Sequence, residues 1–212
     1  MILVVEQQNA REHAGLLDEM FRLRKRVFCD RLQWTVASKD DLERDRYDDE
    51  DPVYLIHTDE AAKVVRGSLR LLPTTGPTLL SDMFSDTIPD GACLSAPSIW
   101  ECTRFCVDDR FPAEVRREQS ALSSGYLIAG LGKVALNSGI STVLGNFDVR
   151  MLRIYRALGC DVEVLGCTRK FGQPVYLGSF AISDEAVRKV EARLKAMQPG
   201  APDHVSETRL AA

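Results

Sequence analysis

Three residue types gather early in this chain. Arg24, Phe28 and Trp34 precede an acidic run that holds Glu43, Asp45 and Asp48. An arginine, two aromatics and paired carboxylates suit a ligand that is both cationic and aromatic. Aromatic faces attract positive charge and stack on flat heterocycles, and carboxylates accept from ammonium groups. An amphipathic helix followed by a solvated polar loop has the same composition, so residue type alone leaves both readings open. A second group lies in IWECTRFCV, residues 99–107, where Glu101 and Arg104 interrupt an apolar strand. Charges inside such a strand are rarely idle; they pair with each other or line a cleft. Residues three apart on a regular strand face opposite sides. A site that uses both therefore predicts a β-bulge between them. A third group is the stripe Arg150, Arg153 and Arg156, one cation every three residues.

Regular elements must position these groups. Residues 2–5 read as a strand, and apolar residues at helical spacing predict a helix over 12–29, with Arg24 beside its apolar stripe. Residues 30–52 lack a clean period and form a loop longer than most connections. Residues 53–57 and 64–72 read as a β-hairpin with a polar turn at 58–63, and Arg70 lies in its second strand. A loop region with Phe84 leads to the strand at 99–107. Pro112 opens a long helix to about 137, weakened by Gly125, Gly130 and Gly132 unless they pack closely. Strand 142–147, a helix over 151–158 capped by Asp148, strands 162–165 and 174–182, and a helix from 184 to about 197 complete the order. This predicts a three-layer α/β/α sandwich with a mixed central sheet. One domain spans 1–198, and the polar segment 199–212 is expected to be disordered.

Composition excludes several classes. The chain has 212 residues, is 45% hydrophobic and 27% charged, and carries a net charge of −4. That is ordinary globular composition without the basic excess of a nucleic-acid binder. The N-terminal apolar run is too short for a secretory signal and no stretch is long enough to span a membrane, so a cytoplasmic location is expected. The six cysteines lack CxxC spacing and read as reduced thiols. The three isolated histidines fall in no zinc-ligand pattern.

Taken together, Arg24, Phe28, Trp34, Asp45, Asp48, Arg70, Phe84, Glu101 and Arg104 resemble the signature of the acyl-homoserine-lactone synthases, the autoinducer synthases of bacterial quorum sensing. The resemblance covers roughly the N-terminal half. It implies the fold of the GCN5-related N-acyltransferases, with a V-shaped cleft between central strands. The Q/R-x-x-G-x-G/A loop by which general acetyltransferases hold pyrophosphate is absent before the long helix, where RREQSALSSG is at best a degraded form.

The resemblance further implies two substrates, S-adenosylmethionine and an acyl thioester, and no metal or cofactor. The amine of S-adenosylmethionine attacks the acyl carbonyl; its carboxylate then displaces methylthioadenosine and closes the lactone. An ammonium must lose a proton before it attacks, and Glu101, with a basicity raised by burial, is the expected base, directly or through water. Arg104 is its catalytic neighbour. Asp45 and Asp48 are expected to hold the amine and shape the loop, Arg24 and Arg70 to fix that loop, and Phe28, Trp34 and Phe84 to contact the nucleotide. Bulge N–H groups would stabilise the oxyanion. Ser98, Trp100, Thr142, Leu144, Phe147 and Met151 are the expected acyl pocket, narrowed by its two large aromatics toward short, branched or aryl groups. Arg150, Arg153 and Arg156 are expected to dock the donor, either the phosphates of coenzyme A or the acidic surface of acyl carrier protein, with acyl-CoA favoured. Two other readings stand beside this one: a general N-acetyltransferase of the same fold, and a non-catalytic S-adenosylmethionine sensor.

Overall fold

The computed structural model describes residues 1–59, 64–198 and the backbone of Thr208–Leu210. Residues 60–63 of the expected hairpin turn, and all of the expected disordered segment except Thr208–Leu210, lie outside the described residues. By its internal contacts the chain divides into two compact units.

The first unit comprises Met1–Arg70 and Arg104–Gly130 together with a short C-terminal strand. Strand β1 (Ile2–Val5) pairs antiparallel with β4 (Val53–Thr58), and β10 (Thr208–Leu210) runs parallel to β1. Strand β5 (Val65–Pro73) contributes its first six residues, and β6 (Ile99–Val107) its last four. Helix α1 (Ala14–Arg24) buries Met20, Phe21 and Leu23 against Val5, Tyr54, Ile56, Val65 and Cys106. Each large apolar side chain so buried contributes about 1.5–3 kcal/mol. The helix expected over 12–29 is α-helical only to Arg24. Lys25–Arg31 is a π-helix, in which Leu32 N–H reaches back five residues to the Val27 carbonyl. Such widened turns are rare and concentrate at functional sites. The expected loop that follows has structure of its own. Strands β2 (Ser38–Lys39) and β3 (Leu42–Glu43) form a small hairpin. Its central residues, Asp40 and Asp41, have φ of 52° and 66°, the positive pair that a two-residue type I′ turn requires.

The second unit comprises Leu71–Thr103 and residues 131–198. Here β6 pairs in parallel with β7 (Thr142–Phe147), Ile99 opposite Thr142 and Glu101 opposite Leu144. Strand β7 pairs antiparallel with β9 (Val175–Ala181), and β9 antiparallel with β8 (Glu163–Thr168). Parallel and antiparallel pairs thus coexist, which makes the sheet mixed. Helix α4 (Val149–Ala157) begins where Asp148 accepts from the N–H groups of Arg150 and Met151 at 2.9 Å each. Ser183 caps α5 (Asp184–Met197) in the same manner. The long helix α3 (Ala113–Asn137) begins in the first unit and ends in the second. Its weak glycines are places of close approach. A Cβ at Gly130 would stand 3.1 Å from the Ile2 side chain, and one at Gly132 would stand 2.7 Å from Val187.

The region before β6, expected as loop, contains α2 (Leu79–Met83) and a single 3-10 turn, Ser85–Thr87. Thr78 and Ser81 close a capping box at the start of α2. Strand β8 packs against that 3-10 turn so tightly that a Cβ at Gly166 would overlap the Thr87 carbonyl. The six cysteines form no disulfide with one another. Among the described residues, no helix is long and apolar enough to cross a membrane.

Candidate active site

Arg24 closes the last turn of α1 and is fully buried. Its Nε lies 2.5 Å from Glu43 Oε2, and its two Nη atoms bind both oxygens of Asp48 at 2.7 and 2.9 Å. Arg70, buried on β5, places Nη1 2.5 Å from Asp45 Oδ1 and 2.8 Å from Asp48 Oδ1. Arg104 on β6 reaches Glu43 Oε1 at 3.0 Å and Asp45 Oδ2 at 2.7 Å. Each arginine bridges two carboxylates, and each carboxylate receives two arginines. The six residues close a ring of alternating charge: Arg24, Asp48, Arg70, Asp45, Arg104, Glu43. Three guanidinium charges meet three carboxylate charges, so the buried ring is neutral overall.

Positions within the ring differ. Asp48 is saturated: besides two arginines it accepts from the Tyr54 hydroxyl at 2.7 Å and from the Asp45 N–H at 2.8 Å. Burial alone would raise its pKa, but Arg24 and Arg70 prevail and hold the carboxyl well below the usual range. Burial beside Asp48 pushes the Tyr54 phenol up. Glu43 is fully enclosed. Asp45 alone among the three carboxylates keeps an accessible edge, with 14% of its side chain exposed against 0% for the other two. It also starts a 3-10 turn, Arg46–Asp49, by accepting from the Tyr47 N–H. Residue spacing singled out the acidic run without a role for Glu43. Its only signal was a carboxylate in the same acidic run, two residues before Asp45.

An aromatic wall adjoins this ring. Arg104 lies over the Phe28 ring, 5.5 Å from its centroid. Trp34 stacks on Phe28 at 5.1 Å with planes inclined by 23°. Phe28 is buried in the core, whereas Trp34 is 51% exposed. A large exposed indole laid on a buried ring leaves one π-face for a ligand. Trp34→Ala is therefore expected to weaken the binding of a cationic, aromatic ligand about tenfold, the worth of one such stacked face, with little loss of stability. Calorimetric titration beside thermal melting checks this; a large melting shift with unchanged affinity would make Trp34 a structural residue.

β6 carries Glu101 and, three residues later, Arg104. The strand leaves extended geometry at Arg104 itself, where φ is 52°. Buried positions follow the even alternation Glu101, Thr103 and then shift phase to Cys106. The strand is therefore irregular between Glu101 and Cys106. A non-glycine residue held there stores strain, which the ion pairs of Arg104 over-determine. Glu101 is buried, and both its oxygens accept backbone N–H groups at the start of α2: Leu79 at 3.0 Å and Leu80 at 2.6 Å. The carboxylate thus anchors the helix whose C-terminal cap is Phe84. Phe84 is half-buried and contacts Phe171 at 5.1 Å. The Lys170 ammonium lies over both rings and bonds the Met83 carbonyl and Asp86.

The six residues expected to line one acyl pocket do not form one wall, because alternation along β6 and β7 divides them. Leu144 packs with Leu80 and Leu177, fringed by Phe84, Ile88, Leu94, Ile99 and Leu165. Thr142 shares its face. Trp100 turns to the other face, against Ala135, Ile140, Val143 and Phe180, and its indole N–H bonds the Pro97 carbonyl. Phe147 is on that second face too, edge-on to Tyr155 at 5.2 Å. Ser98 is half-buried and turns its carbonyl to the N–H groups of Ser141 and Thr142; Met151 is half-buried on α4. Sequence spacing missed Leu80 and Leu177, whose only signal was apolarity.

Arg150, Arg153 and Arg156 are exposed along α4. Arg156 borders an open cavity of about 500 Å³ whose rim includes Cys160, Asp161, Glu163 and Ser179. The two acids there dilute its positive potential.

Residues 7–190 match the family model described as autoinducer synthase. A curated relative, the acyl-homoserine-lactone synthase of Rhizobium etli, is 40% identical over 178 residues, covering 84% of this chain and 82% of that protein. The acyl-homoserine-lactone synthase of Rhizobium radiobacter is 32% identical over 179 residues, covering 84% and 81%. Among solved structures, the CoA-dependent acyl-homoserine lactone synthase BjaI, with SAM and isopentyl-CoA, superposes with a TM-score of 0.80 at 28% identity, over 92% of this chain and 89% of that one. The likeness establishes the α/β fold with a mixed central sheet, GCN5-related in type.

Proposed function

The chain belongs to the autoinducer synthase family and is an acyl-homoserine-lactone synthase, and from that premise we propose that it joins S-adenosylmethionine to an acyl group drawn from acyl-CoA. The observation that carries this reading is the connected run Asp45, Arg104, Phe28, Trp34. It sets an accessible carboxylate edge beside an exposed π-face, the pair of groups that a sulfonium nucleotide with a free amine needs. The ring of ion pairs is the scaffold. It holds Asp45 in one rotamer, so the amine meets a preorganised acceptor.

Glu101 then removes the proton that would block attack. Both its oxygens accept backbone N–H groups, from Leu79 and Leu80, and the proton reaches it through a water. The neutral amine attacks the thioester carbonyl, the tetrahedral oxyanion collapses, and the thiolate leaves with a proton. The carboxylate of the acylated nucleotide next attacks its own γ-carbon. The C–S bond breaks, methylthioadenosine departs, and the lactone closes.

Support for the CoA donor comes from the likeness to BjaI, a CoA-dependent synthase, and from the exposed arginines of α4. The test supplies S-adenosylmethionine with matched acyl-CoA and acyl-carrier-protein donors and follows methylthioadenosine. Faster release with acyl-CoA is expected, and faster release with the carrier protein reverses the assignment. Reversing the charge of the stripe (Arg150→Glu, Arg153→Glu, Arg156→Glu) is expected to raise the donor KM about tenfold while the S-adenosylmethionine KM holds, because phosphate contacts act through local charge. An unchanged donor KM would reduce the stripe to solvated surface.

A further inference from the structure

Strand alternation turns Thr142, Leu144 and Asn146 to one face of β7. Leu144 stands opposite Glu101 across the parallel pair and packs among Leu80, Leu177 and Phe84. Asn146 follows two residues later, roughly 6.6 Å farther along at the usual strand rise. Its partner across β9 is Leu177, which has no polar side-chain group to offer. The amide Nδ2 donates to Thr87 Oγ1 at 3.3 Å. The Thr87 hydroxyl has one proton, and it is given to the Phe84 carbonyl at 2.6 Å. Thr87 Oγ1 therefore accepts from Asn146 and cannot donate to it. This fixes the amide, with Nδ2 toward Thr87 and Oδ1 turned away. Oδ1 is buried and has no hydrogen-bond partner. Buried acceptors in native proteins are nearly always satisfied, so an unsatisfied one asks for an explanation.

Resting on the reading of the chain as an acyl-homoserine-lactone synthase, we propose that Asn146 is a specificity-determining residue whose Oδ1 accepts a hydrogen bond from a hydroxyl near the thioester end of the acyl group. The substrate class is then the 3-hydroxyacyl thioester. On that reading the bond to be made lies beside Glu101, which stands opposite Leu144, and Asn146 follows on the same face of β7, so the hydroxyl belongs close to the carbonyl. The remaining acyl carbons pass among Leu80, Leu144 and Leu177. A 3-oxo group has no proton to donate and sets oxygen against oxygen. The order of preference is 3-hydroxy, then unsubstituted, then 3-oxo.

The experiment measures methylthioadenosine release by the wild-type protein from 3-hydroxybutanoyl, butanoyl and 3-oxobutanoyl groups, each presented on CoA and on acyl carrier protein. kcat/KM for the hydroxy donor is expected to exceed that for the unsubstituted donor about tenfold, the worth of one buried hydrogen bond, with the oxo donor slowest. Asn146→Leu keeps the volume and removes the acceptor, and should bring the hydroxy-to-unsubstituted ratio to about one. A flat wild-type ratio overturns the assignment, and so does an equal loss on all donors in the variant, which would mark Asn146 as a contact to the carrier arm. The wild-type ratio needs no variant to fold. A wild-type protein inert with every thioester on both carriers removes the parent reading and this one with it, an outcome distinct from turnover with a flat ratio.

Discussion

Asp48→Asn is expected to destabilise the protein by about 3–5 kcal/mol, the usual result of breaking a buried ion pair from one side. A loss of that size lowers the melting temperature by roughly 10 °C in a chain of this length. The reason is local. Asp48 takes five hydrogen bonds, three from guanidinium groups, one from Tyr54 and one from the Asp45 backbone. Asparagine keeps one acceptor oxygen and turns an NH2 group toward donors. Arg24 and Arg70 then remain charged and buried with a carboxylate missing. The acid limb adds a second signature. Burial pushes the folded-state pKa of Asp48 up, but the arginine charges prevail and depress it below the ordinary value. Its contribution is therefore complete above the unfolded value near 3.9 and is lost as pH falls through the lower folded value. The wild type should lose stability steeply below about pH 4, and Asp48→Asn should show a shallower acid slope by one proton's worth. Urea denaturation across pH 2.5–7 reads both effects. Equal stability at pH 7, or parallel acid limbs, would remove Asp48 from the buried ring.

Glu101→Gln is expected to slow turnover by about 10²–10⁴-fold, the range for losing a general base, while S-adenosylmethionine still binds. The same substitution disturbs the anchor of α2, because the new NH2 faces the N–H of Leu79 or Leu80. Loss of a cap of that kind costs about 0.5–2 kcal/mol. Two readouts separate these roles. A base predicts a kcat–pH profile whose acid limb disappears in the variant, with loss in a single turnover. An anchor alone predicts a lower melting temperature and a higher KM, with the profile intact. An unchanged kcat takes Glu101 out of the proton path and leaves it a positioning residue for Phe84.

Much of this site was legible before any fold was known. Arg24, Phe28, Trp34, Asp45, Asp48, Arg70, Phe84, Glu101 and Arg104 carry the resemblance to the family in their types and order, and five of them, Arg24, Asp45, Asp48, Arg70 and Arg104, meet in the ring. Local signals were equally readable. Asp148 and Ser183 begin helices because their side chains reach N–H groups two or three residues away, and a distance that short is written in the chain order itself. Alternation around position 104 called for a broken strand, and Arg104 has the positive φ that breaks it.

Tertiary structure decided the rest, and the reason is range. Strand and helix periods tell which face a residue takes but not what meets it there. Glu43 pairs with Arg104 across 61 positions of chain, and Arg24 with Asp48 across 24. No local pattern announces that the three arginines and three carboxylates close into one ring, or that Asp45 keeps the accessible edge while Asp48 is sealed. Trp100 and Leu144 are both apolar and both neighbours of Glu101, yet pleating sends them to opposite faces. The orphaned oxygen of Asn146 exists only because Thr87, 59 residues earlier, spends its single proton on Phe84.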